Sequence, residues 1–553
     1  MAAPVKVPST VPSNNSLDVE GEKDTFSTLH NDDTRSNLSH SLFLGLRGTK
    51  LQNAVSLLAG IGFLLFGYDQ GVMGSLLTLP AFRDTFKDID VVKHPSNATL
   101  QGFVIAVYEI GCLAGALATM YFGDRFGRLK MIFYGCWIML IGAILQTSAY
   151  GIAQLIVARV VSGVGNGFIT STVPMWQSEC ARPENRGKMV IMQCSLITLG
   201  ITISYWIDFG FYFVKDSSAA WRFPIAFQLV FIVLILPLVM KLPESPRWLM
   251  KRGRVEDARR VFAALEGCDI HSEFVEAEIL DVSNSLKEEE AEVVAQGGDA
   301  SMSAFANMKI MFRQGKHKNF HRVMLGVWSQ IMQQITGINL ITYYAGTIFE
   351  SYIGMSPLNS RILAACNGTE YFLFSWVAYF TIERFGRRKL MLFGCLGQTA
   401  SMAILTGTTW AADIHNGNNS HAAIVAAVFL FVFNSFFAVG WLGMTWLYPA
   451  EIVPLSIRAP ANGLSTAANW SFNFMVVMIT PVAFETIGSY TYTIFAVMNF
   501  LMIPVVYFLY PETAGRSLEE MDKIFSELNP MTPWDVVGIA KKTPMEAEKG
   551  ASV

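Results

Sequence analysis

Long apolar stretches alternate with short polar segments along most of the chain beyond about residue 50. An apolar stretch of about 20 residues, at a rise of 1.5 Å per residue, is long enough for a helix to cross the hydrocarbon layer of a membrane. Such stretches occur at 54–78, 101–122, 131–150, 153–174, 189–213, 221–241, 323–346, 361–382, 390–411, 422–447, 459–483 and 490–510. The pattern therefore predicts an all-α membrane protein with twelve transmembrane helices.

A long polar segment at 242–320 separates six of these stretches from the other six. We predict a disordered cytoplasmic tail at 1–50, a six-helix bundle at 51–241, a cytoplasmic linker at 242–320, a second six-helix bundle at 321–510 and a cytoplasmic tail at 511–553. The linker lacks the apolar content of a core, but it can hold short surface helices, for example around Val255–Leu265. The first tail lacks the apolar core of a signal peptide.

Three polar motifs occur once in each half, in the same order. The motif DRFGRLK at 124–130 returns as ERFGRRK at 383–389, and PES at 243–245 returns as PET at 511–513. In both halves a glutamate precedes an arginine by seven residues. The copies lie 259 to 272 residues apart, a period that indicates a duplicated domain, so the two bundles should be pseudo-symmetric.

Composition supports a membrane protein and narrows the function. Of the 553 residues 52% are hydrophobic and 15% charged, whereas soluble chains carry roughly a quarter charged residues. The net charge of −3 implies no attraction to nucleic acid. The 7 cysteines form no CxxC pair, so neither a zinc site nor a disulfide framework is predicted. The polar segments contain no nucleophile–base pair and no phosphate loop, so we expect no enzyme activity, no cofactor and no metal, and we expect a monomer.

Orientation follows from the basic residues of the short loops. Lysines and arginines cluster after the second, fourth and eighth stretches and are missing after the third and ninth. Because cytoplasmic loops carry the excess of basic residues, both termini should be cytoplasmic. The sequons at Asn97 and Asn418 then fall in external loops and are predicted glycosylation sites.

Two ionisable residues stand out inside the apolar stretches: Asp69 in the first and Arg159 in the fourth. A charge at mid-bilayer costs roughly 2.5–3.5 kcal/mol on the most lenient scale, so both must pair or line a wet cavity. A nearby cation favours the carboxylate, and its removal favours the acid, so protonation of Asp69 could select one conformation of a carrier. The alternative is a static ion pair that holds two helices together. For Glu109, Asp208 and Glu370 a structural or interfacial role is the favoured interpretation.

Neutral amides are concentrated in the second half. The seventh stretch contains QQITGINLITYY at 333–344, in which Gln333, Gly337 and Tyr344 share one broad helical face. Amides both donate and accept hydrogen bonds, which suits hydroxyl-rich neutral ligands better than ions. The predicted sugar or polyol site consists of Gln333, Gln334, Asn339, Tyr344, Trp446, Asn469 and Asn473. The alternative is hydrogen bonding between helices, which is common in membrane bundles.

The repeated acid–arginine motifs lie at the predicted cytoplasmic ends of helices. Paired there, they could latch the two halves together when the inside is closed and separate when it opens. The predicted gate comprises Asp124, Arg128, Glu179, Arg186, Glu383, Arg387, Glu451 and Arg458. The alternative is that the basic residues only fix the topology.

Taken together, these motifs resemble the sugar-porter family of the major facilitator superfamily over residues 50–525. The resemblance rests on the repeated D/E-R-x-G-R-R/K motif, PESPRW at 243–248, QQITGIN at 333–339 and PETAGRSLEE at 511–520, and FGYDQGVMGSL at 66–76 is similar to a fungal branch of glycerol–proton symporters. It implies twelve helices in two bundles, a central site and alternating access, with the first and fourth helices side by side. Asp69 and Arg159 would then match the proton-coupling pair of bacterial and plant symporters, and an acid at position 69 favours symport.

The amide positions match the sugar-contact positions of that family, with two departures. A contact glutamine of hexose carriers falls on Cys194, one place after Gln193, so the resemblance adds Gln193 to the predicted site. A contact asparagine falls on Tyr371. These departures leave room for pentoses, glycerol or other polyols. The hypothesis is a fungal plasma-membrane symporter that imports a neutral sugar or polyol with protons. Export of a metabolite stays open as an alternative, and a nutrient sensor is disfavoured because only about 40 residues follow Pro511.

Overall fold

The computed structural model describes residues 42–91, 94–181, 186–214, 217–295, 308–315, 318–412, 420–516, 518–529 and 531–543. It distinguishes two units. In Met1–Leu46 the described part contains a 3₁₀ turn at Leu42–Gly45. The unit Arg47–Val553 contains every other described element, and all its regular elements are helical.

Twelve long helices follow one another in this second unit, as predicted from the apolar stretches. Their bounds are α1 Thr49–Leu76, α2 Ala98–Phe126, α3 Arg128–Thr147, α4 Ile152–Cys180, α5 Arg186–Phe211, α6 Ala219–Val239, α7a Asn319–Ile335 with α7b Ile338–Thr347, α8 Pro357–Phe385, α9 Arg387–Ala412, α10a Ser420–Gly440 with α10b Met444–Ile452, α11 Leu455–Ile487 and α12 Tyr490–Leu509. The predicted stretches at 323–346 and 422–447 are therefore not single helices, because each is broken within the apolar run.

Nine stretches of the described residues are long and apolar enough by themselves to cross a membrane, and they include all the long helices except α7 and α8. The last of these stretches, Pro460–Leu509, joins parts of α11 and α12. The α7 pair falls short because its two segments have only 17 and 10 residues.

Shorter helices occupy the polar segments. They lie at Pro80–Thr85, Lys87–Ile89 and Pro95–Asn97 (both 3₁₀), Pro246–Lys251, Val255–Glu266, Glu273–Ala295, Met308–Met311, Ile348–Tyr352 (π), Leu518–Ser526, Pro533–Asp535 (3₁₀) and Val536–Lys542. The helix predicted around Val255–Leu265 is present with almost the same bounds.

The helices pack as two halves that meet mainly along three pairs of helices. In the first half α2 and α3 pack on α4, and α1 packs on α5; in the second half α9 packs on α10a and α12, and α7a packs on α11. The halves meet where α2 packs on α11, α5 on α8 and α7b on α1. Large apolar side chains such as Leu57 and Phe380 remain exposed on the outside, as a lipid-facing surface requires.

The two ends of the bundles differ, and we name them by their loops. The basic end contains the α2–α3 turn at Gly127 and the α8–α9 turn at Gly386, each flanked by arginines. The far end is the opposite one, where α1 ends and α2 begins. The chain alternates between the two ends from α1 to α12, which leaves the described parts of the polar segment 242–320 and the last helices at the basic end.

Candidate functional site

A break in the seventh helix positions the central polar groups. Gly337 between α7a and α7b has φ +95°, and a Cβ there would lie 2.9 Å from side-chain atoms of Met402 and Phe495, so only glycine fits without strain. Asn499 donates to the Thr336 carbonyl at 2.9 Å and satisfies a group freed by the break. The break changes the direction of the chain between Gln334 and Asn339, and the single helical face expected for Gln333, Gly337 and Tyr344 is therefore wrong.

The amides of α7 and α11 form one continuous hydrogen-bond network. Asn469 donates to Gln333 at 3.0 Å, and Gln334 donates to Gln333 at 3.3 Å. Asn339 donates both to Gln334 and, at 2.7 Å, to Asn473. All five side chains are buried. The structure thus brings together five of the predicted substrate-binding residues from three helical segments.

The other three predicted substrate residues lie outside this network. Tyr344 donates its hydroxyl to the Val477 carbonyl at 2.9 Å, and Trp446 is half-buried on α10b. Gln193 is buried on α5, and its Nε2 has no hydrogen-bond partner in the described part of the chain. Cys194 and Tyr371, at the two positions that depart from the family pattern, are both buried.

Three residues not predicted from the sequence extend the site. Gln70 on α1 donates to Asn339 at 2.8 Å and so links the first half to the network. Gln330 accepts from Asn469 at 2.6 Å. Trp470 packs edge-on against Phe66 of α1, with ring centroids 5.4 Å apart. The sequence did contain a signal for each, since Gln70 follows Asp69, Gln330 precedes Gln333 by one turn, and Trp470 lies between the two asparagines of α11.

Asp69 and Arg159 occupy the same buried region between α1, α2 and α4. Both have no exposed surface. The Arg159 charge acts on the Asp69 carboxyl, but no ion pair within 4.0 Å joins them among the described residues. Neither Asp69 oxygen has a hydrogen-bond partner within 3.5 Å there, although the Tyr108 hydroxyl lies close enough to interact with the carboxyl. Arg159 instead donates to the Ile105 carbonyl at 2.7 Å and stacks 4.7 Å from the centre of the Tyr108 ring. The static ion pair considered above is not formed in this conformation.

The far end of the bundles is closed by contacts between the halves. Arg361 of α8 donates to Thr78, just beyond α1, at 2.6 Å. Tyr205 of α5 donates its hydroxyl to the Thr342 carbonyl of α7b. Asp208 lies close enough to Arg361 for their charges to interact.

A cleft opens instead toward the basic end, between α2, α4 and α11. It encloses about 680 Å³ of space, including the part open to solvent, and is lined by Gly123, Asp124 and Ser171 of the first half and by Asn462 and Gly463 of the second. The oxygens of Ser171 and Asn462 have no hydrogen-bond partner among the described residues. Polar ligands or water could enter here.

The repeated motifs at the basic end build the same structure twice. Arg128 bonds to Glu179 at 2.8 Å and lies 3.6 Å from Asp124. Arg387 bonds to Glu451 at 2.7 Å and to Glu383 at 3.0 Å. Each pair lies within one half.

The glutamate of the PES or PET motif caps the helix that begins at each arginine. Glu244 accepts from the backbone N–H of Arg128 at 3.0 Å, and Glu512 accepts from that of Arg387 at 2.7 Å. A Cβ at Gly127 or Gly386 would meet these carboxylates at 2.7 and 2.4 Å, which explains the glycine of the motif. Burial raises the pKa of Glu244, and hydrogen bonds from three backbone N–H groups partly offset this.

Several predicted residues have another place or no described side chain. Arg458 donates to the Val453 carbonyl at 3.3 Å, and the side chain of Arg186 lies outside the described residues, as does Asn418. Asn97 is half-buried at the far end, at the start of α2. Glu370 accepts a hydrogen bond from Ser435 inside the second half. A latch between the halves at the basic end stays a prediction.

Comparison with known proteins identifies the family to which this chain is similar. Residues 55–525 match the family model described as sugar (and other) transporter. The sugar transporter STL1 of Saccharomyces cerevisiae is 39% identical over 520 residues, which are 92% of this chain and 88% of that protein. The MFS-type transporter oryC of Aspergillus oryzae is 37% identical over 484 residues, 87% of each.

A solved structure shares the fold. The proton:xylose symporter XylE bound to 6-bromo-6-deoxy-D-glucose superposes with a TM-score of 0.70 at 24% identity. The match covers 86% of this chain and 100% of that chain. The arrangement of twelve helices is therefore that of the major facilitator superfamily.

Proposed function

The chain belongs to the sugar transporter family of the major facilitator superfamily, and we propose that it is a proton symporter that imports a neutral sugar or polyol by alternating access. As a member of a transporter family it is not an enzyme. STL1 is named a sugar transporter and XylE a proton:xylose symporter, and both names agree with this proposal.

The buried Asp69 carboxyl is the observation that carries proton coupling. It has no hydrogen-bond partner among the described residues, and its counter-charge, Arg159, is near but not in contact. A carboxyl in this position binds a proton when the cation withdraws and releases it when the cation approaches. Small movements of α1 against α4 would therefore change its proton affinity.

The amide network supports the neutral substrate. In this conformation the network amides hydrogen-bond to one another; they are Gln333, Gln334, Asn339, Asn469 and Asn473. A bound sugar or polyol would replace these hydrogen bonds with bonds from its own hydroxyls. Exchanging hydrogen bonds in this way costs little, because each amide keeps a partner. A charged substrate would gain no counter-charge from this set.

Closure at the far end with a cleft at the basic end supports alternating access. In the proposed orientation the basic end is cytoplasmic, both termini are cytoplasmic, and the protein resides in the plasma membrane. The acid–arginine clusters then hold the helices of each half together while the halves rotate relative to each other. Sugar and protons enter from outside, and the substrate leaves through the cleft.

Uptake of labelled substrate into a transporter-null yeast that expresses the full chain tests the proposal. A panel of glycerol, pentoses, hexoses and disaccharides identifies the substrate, and alkalinisation of the medium on substrate addition reports proton entry. Asp69→Asn should abolish uphill accumulation while exchange of preloaded substrate persists, and Glu370→Gln is the matched control. Accumulation by Asp69→Asn at the wild-type level would refute coupling through this residue. No uptake of any substrate, with efflux of a preloaded one, would favour export.

A further inference from the structure

A second buried acid lies beside the proposed proton site. Glu109 of α2 has no exposed surface, and its Oε1 accepts a hydrogen bond from the Tyr343 hydroxyl of α7b. The other oxygen, Oε2, has no partner in the described part of the chain. The bond crosses from the first half to the second, so it depends on how the halves are positioned.

The charges of this region do not balance if both acids are ionised. Arg159 acts on Asp69 and on Glu109, and the two acids act on each other. One guanidinium can compensate only one of two buried carboxylates, and an uncompensated buried charge is costly. One of the two acids therefore holds a proton, and the two titrate as a coupled pair.

The surroundings of Glu109 contain few other ionisable groups. Tyr108 and Cys112 lie on its own helix, Tyr343 faces it from α7b, Asp69 from α1 and Arg159 from α4. On α11, which also packs on α2, the charged residues are Arg458 and Glu485, both toward the helix ends. On α3 the ionisable residues Arg128, Lys130, Tyr134 and Cys136 lie in its basic-end half. The protonation of Glu109 is thus set mainly by Asp69, Arg159 and Tyr343.

The segment that carries Tyr343 also carries a residue of the amide network. Asn339 precedes Tyr343 by four residues on α7b, so both side chains lie on one face of the helix. Asn339 bonds to Asn473 and accepts from Gln70 of α1. A substrate that binds Asn339 and moves α7b therefore also moves the Tyr343 hydroxyl relative to Glu109.

We propose that Glu109 is a second proton-carrying residue of the transport cycle and that Tyr343 ties its protonation to the position of α7b. The inference rests on the proposed function. The Tyr343 hydrogen bond favours the Glu109 carboxylate, and its loss favours the Glu109 acid. When α7b moves away, a proton held by Asp69 can pass to Glu109: the O–H bond of Asp69 breaks and an O–H bond forms on Glu109, directly or through water, with no other reactant.

Proton-driven uptake by the full-length protein in liposomes tests this step, with the substrate that the wild type transports. Tyr343→Phe removes only the hydroxyl. The pH profile of its uptake rate should shift to higher pH by about one unit or more, because the Glu109 carboxylate loses a charge-assisted hydrogen bond. Glu109→Gln should flatten the pH dependence of uptake. Glu370→Gln is the matched control, since Glu370 also accepts a hydroxyl bond but lies within the second half, and its profile should match the wild type.

The outcomes separate the two proposals. If Tyr343→Phe and Glu109→Gln both keep the wild-type pH profile while Asp69→Asn loses accumulation, Glu109 carries no proton and the proposed symport stands. If the wild type takes up substrate without protons, both proposals fail. Should Glu109→Gln not fold, Tyr343→Phe and Glu109→Asp still report on the same bond, and an unshifted Tyr343→Phe profile is then sufficient to overturn the inference.

Discussion

The interiors of the two halves differ in chemistry although their helices repeat. The first half contributes Asp69, Glu109 and Arg159, three buried ionisable groups with atoms that have no hydrogen-bond partner in the described structure. The second half contributes neutral amides on α7 and α11 that bond to one another. The two halves share the scaffold, while their central polar groups differ: an ionisable set in the first half and a neutral amide set in the second.

The two sets meet on one short segment. Through Gln70–Asn339 and Glu109–Tyr343, α7b touches both α1 and α2. Because α7b has only ten residues and follows the break at Gly337, it can change its orientation while α7a stays in place. The ionisable set and the amide set are therefore both in contact with α7b.

Removing Arg159, the buried cation that acts on Asp69 and Glu109, should have the largest effect on transport. Arg159→Met should abolish uphill accumulation, since both acids then stay protonated; one coupled proton is worth about 2.3 kcal/mol, or roughly 50-fold accumulation, per 100 mV. The measurement is the steady-state ratio of internal to external substrate in energised cells. Arg222→Met is the control, because Arg222 also stacks on an aromatic ring and donates to carbonyls, and it should accumulate normally. Normal accumulation by Arg159→Met would mean that the first half does not supply the coupling.

Removing the Asn339 amide, which joins the amide network of the second half to α1, should have an intermediate effect on transport. Asn339→Ala leaves Gln70, Gln334 and Asn473 short of a partner and should weaken apparent substrate affinity about 10-fold, as expected for about 1–2 kcal/mol of lost hydrogen bonding. Initial uptake rates as a function of substrate concentration give the KM. Asn434→Ala removes an equally buried amide pair with Asn367, 2.8 Å apart within the second half, and should leave KM unchanged. Equal changes in both variants would make the network structural.

Substitutions at the basic end should affect transport least, and they should destabilise the two halves equally. Glu244→Gln and Glu512→Gln each keep the size of the capping side chain but put an NH₂ group against a backbone N–H, because both carboxylate oxygens accept such bonds. Each should therefore cost about 1–3 kcal/mol of stability, in either half. Thermal unfolding of the purified protein in detergent measures the loss. Transport should continue in both variants. A much larger loss in one half would show that the two copies of the motif no longer have the same role.

Much of the architecture could be predicted from local sequence because lipid imposes simple rules. The twelve apolar stretches and the duplicated motifs gave the helices and the two halves, since a helix that crosses hydrocarbon must be about 20 residues long and apolar. The motifs also indicated ion pairs at the basic end, and the structure brings Asp124 to Arg128 and Glu383 to Arg387. The contacts of these arginines with Glu179 and Glu451, and the glutamates that cap α3 and α9, depend on distant parts of the chain.

Local sequence was sufficient to predict a twelve-helix membrane protein with an acid and an arginine buried in its first half and amides in its second. The folded arrangement was needed to see that Asp69 and Arg159 are near but not paired, that α7 breaks at Gly337, and that Gln70 and Tyr343 join the halves. The difference arises because apolarity along one chain fixes what enters the membrane, whereas hydrogen bonds between buried side chains depend on distances between residues up to 283 apart in sequence.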